Sequence, residues 1–196
     1  FKGLWIYDKI EWKQYPVIHM DFSKLSFDDP KTLEKSLENQ VEKIAASYDI
    51  KLNPEFFLKE KFAELLEKMA VEQKAVILID EYDKPMTEHI EADKIEVAQH
   101  IRTVLKNFFV VIKASDKFLR FVFITGVSKF SKVSVLSDLN NLTDITLYEK
   151  YSTLLGYTEA EMKRYFSPHM AQLAKKRNMT ENRMAETVRT WYNGYS

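Results

Sequence analysis

The sequence contains no cysteine and only four glycines among its 196 residues. A chain without cysteine has neither a disulfide framework nor a thiolate metal site, and its composition suits the reducing cytoplasm. We therefore expect a cytoplasmic protein. None of the four glycines opens a true phosphate-binding loop.

Excess charge and long apolar runs are missing as well. The 29 Lys and Arg residues balance 29 Asp and Glu residues, which excludes a global attraction to nucleic acid but allows a local basic patch. No apolar run approaches the roughly 20 residues of a membrane-spanning helix, so we expect no membrane partner. Residues 1–5 include no initiator Met and have no signal-peptide pattern, and we expect an internal piece of a longer protein.

The most informative segment that is present is the apolar run 75–79, which ends in Asp80 and Glu81. Such a run is typical of a buried parallel strand whose carboxyl end opens into a charged site. There Asp80 could hold Mg²⁺, and Glu81 could polarise an attacking water, as in the Walker B segment of nucleotide hydrolases. The alternative is a buried strand that simply meets an acidic turn.

Two further runs, 15–23 and 119–126, are predicted strands on either side of this one along the chain. Helix-start signals at Asp29-Pro30 and Asn53-Pro54, and an apolar stripe over 95–108, place helices between the strands. The alternation predicts an α/β domain with a mainly parallel sheet. A short fourth strand is predicted at 144–147.

The tail changes character, and we predict an α/β domain over residues 1–149 followed by a small helical subdomain over 150–196. Thr158 and Glu161 form a capping box at the start of one helix. Ser167-Pro168 predicts the start of another helix, and Thr180 the cap of a last one.

The phosphate-binding loop of nucleotide hydrolases, G-x-x-x-x-G-K-[ST], has only a poor counterpart here. The nearest segment begins at Gly126 but has Ser131 at the second glycine position and Val133 in place of the metal-ligating Ser or Thr. Thr125, at the end of the third strand, could instead hydrogen-bond an attacking water or a phosphate, or could merely close the strand. Lys129, in the loop that follows, could face phosphate or a partner, or could be solvated.

Three segments together resemble the AAA-ATPase-like domain of bacterial proteins that carry a C-terminal PD-(D/E)XK-type nuclease domain. They are 1–6 followed by 15–18, then 77–85, and finally 121–131 continuing through 139–145; the closing residues 191–196 also fit. The resemblance implies a three-layer P-loop NTPase-like fold of the ASCE type, with ATP and Mg²⁺ as ligands. It gives Asp80 the metal-side role, Glu81 the water-activating role and Thr125 the sensor role.

The family's Walker A strand and loop are expected before Phe1, and the nuclease domain after Ser196. Without the phosphate loop, this piece is predicted to bind ATP weakly or not at all and to be inactive by itself. The parent protein is expected to hydrolyse ATP and to couple hydrolysis to a partner or to the attached nuclease, through which nucleic acid could be engaged. Homo-oligomerisation is a further expectation. The alternative is a degenerate, non-hydrolysing scaffold.

Overall fold

The computed structural model describes the chain except for residues 90–94, 128–134, 137, 138, 147, 155 and 193–196. The chain divides into two compact units, Phe1–Leu142 and Thr143–Ser196. The predicted domain boundary at 149/150 stays a prediction.

The first unit alternates strands and helices. Its strands are β1 (Val17–Asp21), β2 (Ala75–Asp80) and β3 (Leu119–Ile124), and its helices are α1 (Pro30–Ser47), α2 (Leu58–Met69), α3 (Lys84–Thr87) and α4 (Ile95–Ala114). Short 3-10 turns occupy Phe22–Lys24 and Asp116–Phe118. The strands form one sheet in the order β1-β2-β3, and both pairs are parallel. The prediction of an α/β class with a parallel sheet is confirmed.

One face of this sheet carries the hydrophobic core. Alternate strand residues such as Ile18, Ile77 and Ile79 are buried together with apolar residues of α1, α2 and α4. The opposite face, which includes Leu78 and the 54% exposed Phe121, is only partly covered. The described helices of this unit therefore make two layers with the sheet. The third layer, and with it the P-loop NTPase-like fold, stays a prediction.

Helix α1 begins where the sequence predicts. Asp29 is the N-cap, and its Oδ1 accepts hydrogen bonds from the backbone N–H groups of Lys31 and Thr32 at 2.8 and 3.0 Å. Pro30 occupies the first helical position, where its missing N–H costs no intrahelical bond.

Helix α2 begins later than Asn53-Pro54, so that prediction is wrong. The side chain of Asn53 accepts from the N–H of Glu55 at 3.1 Å and stabilises a turn instead. The helix starts after Phe57, whose N–H donates to the carboxylate of Glu60 at 2.9 Å. Phe57 itself is 79% exposed.

The second unit is helical, with α5 (Glu159–Lys176), α6 (Glu181–Tyr192) and a 3-10 turn at Glu149–Tyr151. The Thr158–Glu161 capping box and the Thr180 cap are confirmed. The helix start predicted at Ser167-Pro168 is wrong, because Pro168 lies inside α5. Residues 144–146 form no strand; the carboxylate of Asp144 instead accepts from the N–H of Thr146 at 3.0 Å.

Candidate functional site

Asp80 and Thr125 meet at the carboxyl ends of neighbouring strands. Backbone pairing continues just past β3, because the N–H of Thr125 donates to the carbonyl of Ile79 at 2.9 Å. The Thr125 hydroxyl donates a short hydrogen bond to Oδ1 of Asp80. The N–H of Glu81 donates to the same oxygen at 3.0 Å. The sheet thus brings together two of the residues that the sequence selected, and it fixes the orientation of the Asp80 carboxylate.

Glu81 is turned away from the strand by its own backbone. Its φ of +51° lies in the left-handed region, which is unusual for a residue other than glycine. The next residue, Tyr82, then donates its N–H to the carbonyl of Thr125 at 3.1 Å. Glu81 is half-buried and lies in the turn that follows β2, directly after Asp80.

Asp83 anchors the loop that follows β3. Its side chain is 3% exposed, and its two carboxylate oxygens accept from the N–H of Val127 at 3.3 and 3.1 Å. Gly126 is required at this close approach, because an added Cβ would lie 2.5 Å from Cε1 of the buried Tyr82 and 2.6 Å from Oδ1 of Asp83. The sequence assigned no role to Asp83; the structure gives it a positioning contact with the backbone beside Thr125.

Lys84 belongs to the same segment but forms an ion pair with Glu88 at 2.7 Å. The pKa of Lys84 is raised, chiefly by its hydrogen bond to Glu88 and to a smaller extent by the charges of Glu81 and Asp83. The positive charge of Lys84 therefore contributes to the electrostatics around the acidic turn.

Asp21, Ser23 and Lys24 form a further polar cluster at this edge of the sheet, and the sequence analysis gave it no functional role. Asp21, the last residue of β1, is the register partner of Asp80. Its carboxylate accepts from the hydroxyl and the N–H of Ser23 at 2.6 and 3.1 Å and forms an ion pair with Lys24 at 2.9 Å. The signal was available, since the predicted strand 15–23 contains Asp21 and parallel strands present their carboxyl ends at one edge.

These contacts set the charge of the cluster. The hydrogen bond from Ser23, followed by that from Lys24, lowers the pKa of Asp21 from 3.8 to about 2. The pKa of Lys24 is raised by its hydrogen bond to Asp21 and, to a lesser degree, by the charge of Asp80. Asp21 and Lys24 are therefore both ionised at neutral pH, and the positive charge of Lys24 interacts with Asp80 as well as with Asp21.

The chemistry of Asp80 fits a divalent cation bound with few protein ligands. Both hydrogen bonds to its carboxylate end at Oδ1, and no described residue donates to Oδ2. Among the described residues no group of three or more His, Asp or Glu side chains could hold a metal ion. Mg²⁺ commonly uses one or two carboxylates and completes its octahedron with water and substrate phosphates, which is compatible with this arrangement.

Lys129 lies outside the described residues, as do Ser131 and Val133, so its predicted position near phosphate stays a prediction. No described helix combines the length and the apolar character that crossing a membrane demands.

Comparison with known proteins identifies a family and a relative. A family model described as "Predicted AAA-ATPase" matches residues 1–136. The chain is 35% identical over 202 residues to an uncharacterized protein in the vnfD 5′ region of Azotobacter chroococcum mcd 1. That match covers 100% of this chain and 36% of the relative, so the chain spans about a third of the relative's length. No solved structure matches the chain.

Proposed function

The chain belongs to the predicted AAA-ATPase family, and from this premise we propose that it supplies the metal-binding and water-activating part of a Mg²⁺-dependent ATPase. The observation that carries the proposal is the hydrogen bond from the Thr125 hydroxyl to Asp80 at adjacent strand ends. It joins a carboxylate suited to Mg²⁺ with a hydroxyl that can orient either that carboxylate or a bound water.

In this proposal each residue has a separate task. Asp80 would hold Mg²⁺, directly or through water, and Glu81 would accept a hydrogen bond from the attacking water and polarise it. Thr125 would keep the Asp80 carboxylate in its orientation. Bound Mg²⁺ would neutralise charge on the phosphates of ATP. The turn at Glu81 supports this division of labour, because it separates the two carboxylates that would otherwise alternate along one strand.

The remaining parts of the proposal concern the parent protein. We propose that the ATPase of the parent protein also has a phosphate-binding loop and an ASCE-type sheet, and that it acts with a partner or an attached nuclease domain. We further propose that copies of the protein associate. The chain itself contains no G-x-x-x-x-G-K-[ST] segment. A parent without such a segment would favour the second function, a scaffold that retains the site without turnover.

The test compares Glu81→Gln and Asp80→Ala in the intact parent protein, with Glu34→Gln on the exposed side of α1 as a matched control. Glu81→Gln should lower ATP turnover by about 10²- to 10⁴-fold while sparing ATP binding, because only the water-polarising group is lost. Asp80→Ala should weaken Mg²⁺-ATP binding measured by calorimetry. Glu34→Gln should change neither quantity.

Undiminished turnover in Glu81→Gln would remove Glu81 from the mechanism, and unchanged Mg²⁺-ATP affinity in Asp80→Ala would remove the metal role. Failure of the unaltered parent to bind Mg²⁺-ATP at all would favour the scaffold.

A further inference from the structure

A basic cleft lies at the opposite end of the sheet from Asp80. Its volume is about 600 Å³, and the residues that line it precede or begin the strands: Lys13, Gln14, Tyr15, Gln73, Lys74 and Arg120. Lys74 stands immediately before β2, whereas Asp80 is the last residue of that strand. Lys74 and Asp80 are six residue steps apart along the strand, which at about 3.3 Å per residue places them about 20 Å apart, so the cleft is distinct from the site of Asp80.

The backbone directs one of these cations into the cleft. In the pairing of β2 with β3, Ala75 faces Leu119 and Val76 faces Phe121, so Arg120 is the extra residue of a β-bulge. A bulge bends the strand locally and re-aims the side chain of the extra residue, and bulges often occur beside functional sites. Arg120 is exposed and lines the cleft as a result.

The three cations are available to a ligand. Within the described parts of the chain, neither Lys74 nor Arg120 forms an ion pair with a carboxylate. Lys13 pairs only with Glu11, at 3.2 Å, and both side chains are more than half exposed. Such a surface pair contributes little and is easily exchanged for a stronger anion. Because the whole chain has no net charge, this concentration of positive charge is a local feature.

We propose that this cleft binds the sugar-phosphate backbone of single-stranded nucleic acid. The cations come from segments leading into three adjacent strands, and at about 4.8 Å between neighbours the outer two strands lie about 10 Å apart. A row of that length is wider than a single phosphate group, which favours an extended polyanion. The half-buried ring of Tyr15 offers a surface on which a base can stack, and the carboxamides of Gln14 and Gln73 can donate to phosphate or base oxygens. An acidic peptide would use the cations but not the aromatic ring.

The experiment measures fluorescence anisotropy of a labelled single-stranded oligonucleotide of about 15 bases over a range of salt concentrations. Lys74→Gln combined with Arg120→Gln should weaken binding and lower the slope of log K against log salt by about 1.4, or about 0.7 for each phosphate contact removed. The matched control, Lys35→Gln with Lys43→Gln on exposed positions of α1, should leave affinity and slope unchanged.

A second pair of variants separates stacking from charge. Tyr15→Leu should weaken binding about tenfold without altering the salt slope, whereas Tyr15→Phe should retain affinity because it keeps the ring. Thermal unfolding monitored by circular dichroism verifies that each variant is folded. If Tyr15→Leu does not fold, the combined Lys74→Gln and Arg120→Gln variant still tests whether the cleft binds the oligonucleotide.

The proposal is overturned if the unaltered chain does not bind the oligonucleotide at low salt, or if the α1 control loses as much affinity as the cleft variant. Competition by polyglutamate as strong as that by unlabelled oligonucleotide would overturn it as well, since the cleft would then recognise charge alone. These results are independent of ATP turnover, because no residue of the cleft belongs to the Asp80 site.

Discussion

At the scale of single residues, the backbone conformation of Glu81 is compatible with the role proposed for the acidic turn. A left-handed conformation costs an L-residue with a Cβ roughly 1–2 kcal/mol. Such strain persists where the surrounding structure enforces it, and it is concentrated at functional sites. At Glu81 the enforcing contacts are the hydrogen bonds on either side, from Glu81 to Asp80 and from Tyr82 to Thr125.

Glu81→Gly should therefore stabilise the fold while it removes the side chain proposed for catalysis. We expect the free energy of unfolding, measured in urea, to rise by about 1 kcal/mol, because glycine adopts a positive φ without steric cost. Asp49→Gly is a matched control: Asp49 has a φ of +56° just beyond α1, so it should give a similar gain with no effect on ATP turnover. A loss of stability in Glu81→Gly would contradict this account of the turn.

The contacts of Asp21 make the stability of the folded chain depend on pH in acidic solution. Its folded-state pKa of about 2 lies below the ordinary value of 3.8, so its ionised form is favoured by the fold. The resulting stability is fully present above about pH 4 and is lost as pH falls toward 2. Asp21→Asn should therefore flatten the decline of the melting temperature in that window. An equally steep decline in the variant would show that the contacts of Asp21 with Ser23 and Lys24 do not contribute.

At the scale of secondary-structure elements, the sequence predicted strands β1 to β3 and helix α1 well, because alternation and capping are local signals. It failed where tertiary contacts or side-chain bonding override a local signal. Pro168 lies inside α5, where it has no N–H to donate to the helix. The hydroxyl of the preceding Ser167 donates to the carbonyl of Lys163 within the same helix, so Ser167 does not cap a new helix. Asn53 bonds its own turn and delays α2. In both places, a side chain that is typical of a helix N-cap forms a different local hydrogen bond, and the sequence does not show which bond will form.

Helices α1 and α2 are joined by a buried cation. Lys61 on α2 is 5% exposed, and its Nζ lies 2.6 Å from a carboxylate oxygen of Glu38 and 2.6 Å from one of Glu42, both on α1. The pKa of Lys61 is raised, first by the hydrogen bond to Glu38 and then by that to Glu42. Either carboxylate alone can partner the cation, but loss of both would leave a buried unpaired charge.

This arrangement predicts strong coupling between the two glutamates. Glu38→Gln or Glu42→Gln alone should lower the free energy of unfolding by about 1 kcal/mol. The double substitution should cost about 3 kcal/mol or more, which exceeds the sum of the single effects. Urea denaturation of the four proteins in the cycle measures the coupling, and simple additivity would contradict it.

At the scale of the whole molecule, the division into Phe1–Leu142 and Thr143–Ser196 predicts that the first unit folds by itself. That unit holds the sheet and its own hydrophobic core. A chain ending at residue 142 should thus unfold in a single cooperative transition followed by circular dichroism. A chain ending at 149, the boundary expected from sequence, should behave alike. A broad, non-cooperative transition in both chains would show that the core needs the helical tail.

The candidate site was only partly predictable because its residues are far apart along the chain. Asp80 and Thr125 each end a strongly apolar run, and each could be recognised without knowledge of the other. Asp21 also lies at the end of a predicted strand, but its place beside Asp80 depends on strand order. The basic cleft depends on strand order and on the bulge at Arg120, which leaves no local pattern in the sequence. The hydrogen bond between Thr125 and Asp80 likewise depends on register.

The parallel order of the three strands also has a kinetic consequence. Consecutive strands are joined by crossovers that contain helices, so no pair of these strands can form from a tight hairpin. Loop-closure entropy must be overcome before Asp21, Asp80 and Thr125 come together, whereas α1 and α2 are neighbours along the chain. Contacts formed late in folding affect chiefly the unfolding rate. We therefore expect substitutions at these three positions to change the unfolding rate more than the folding rate.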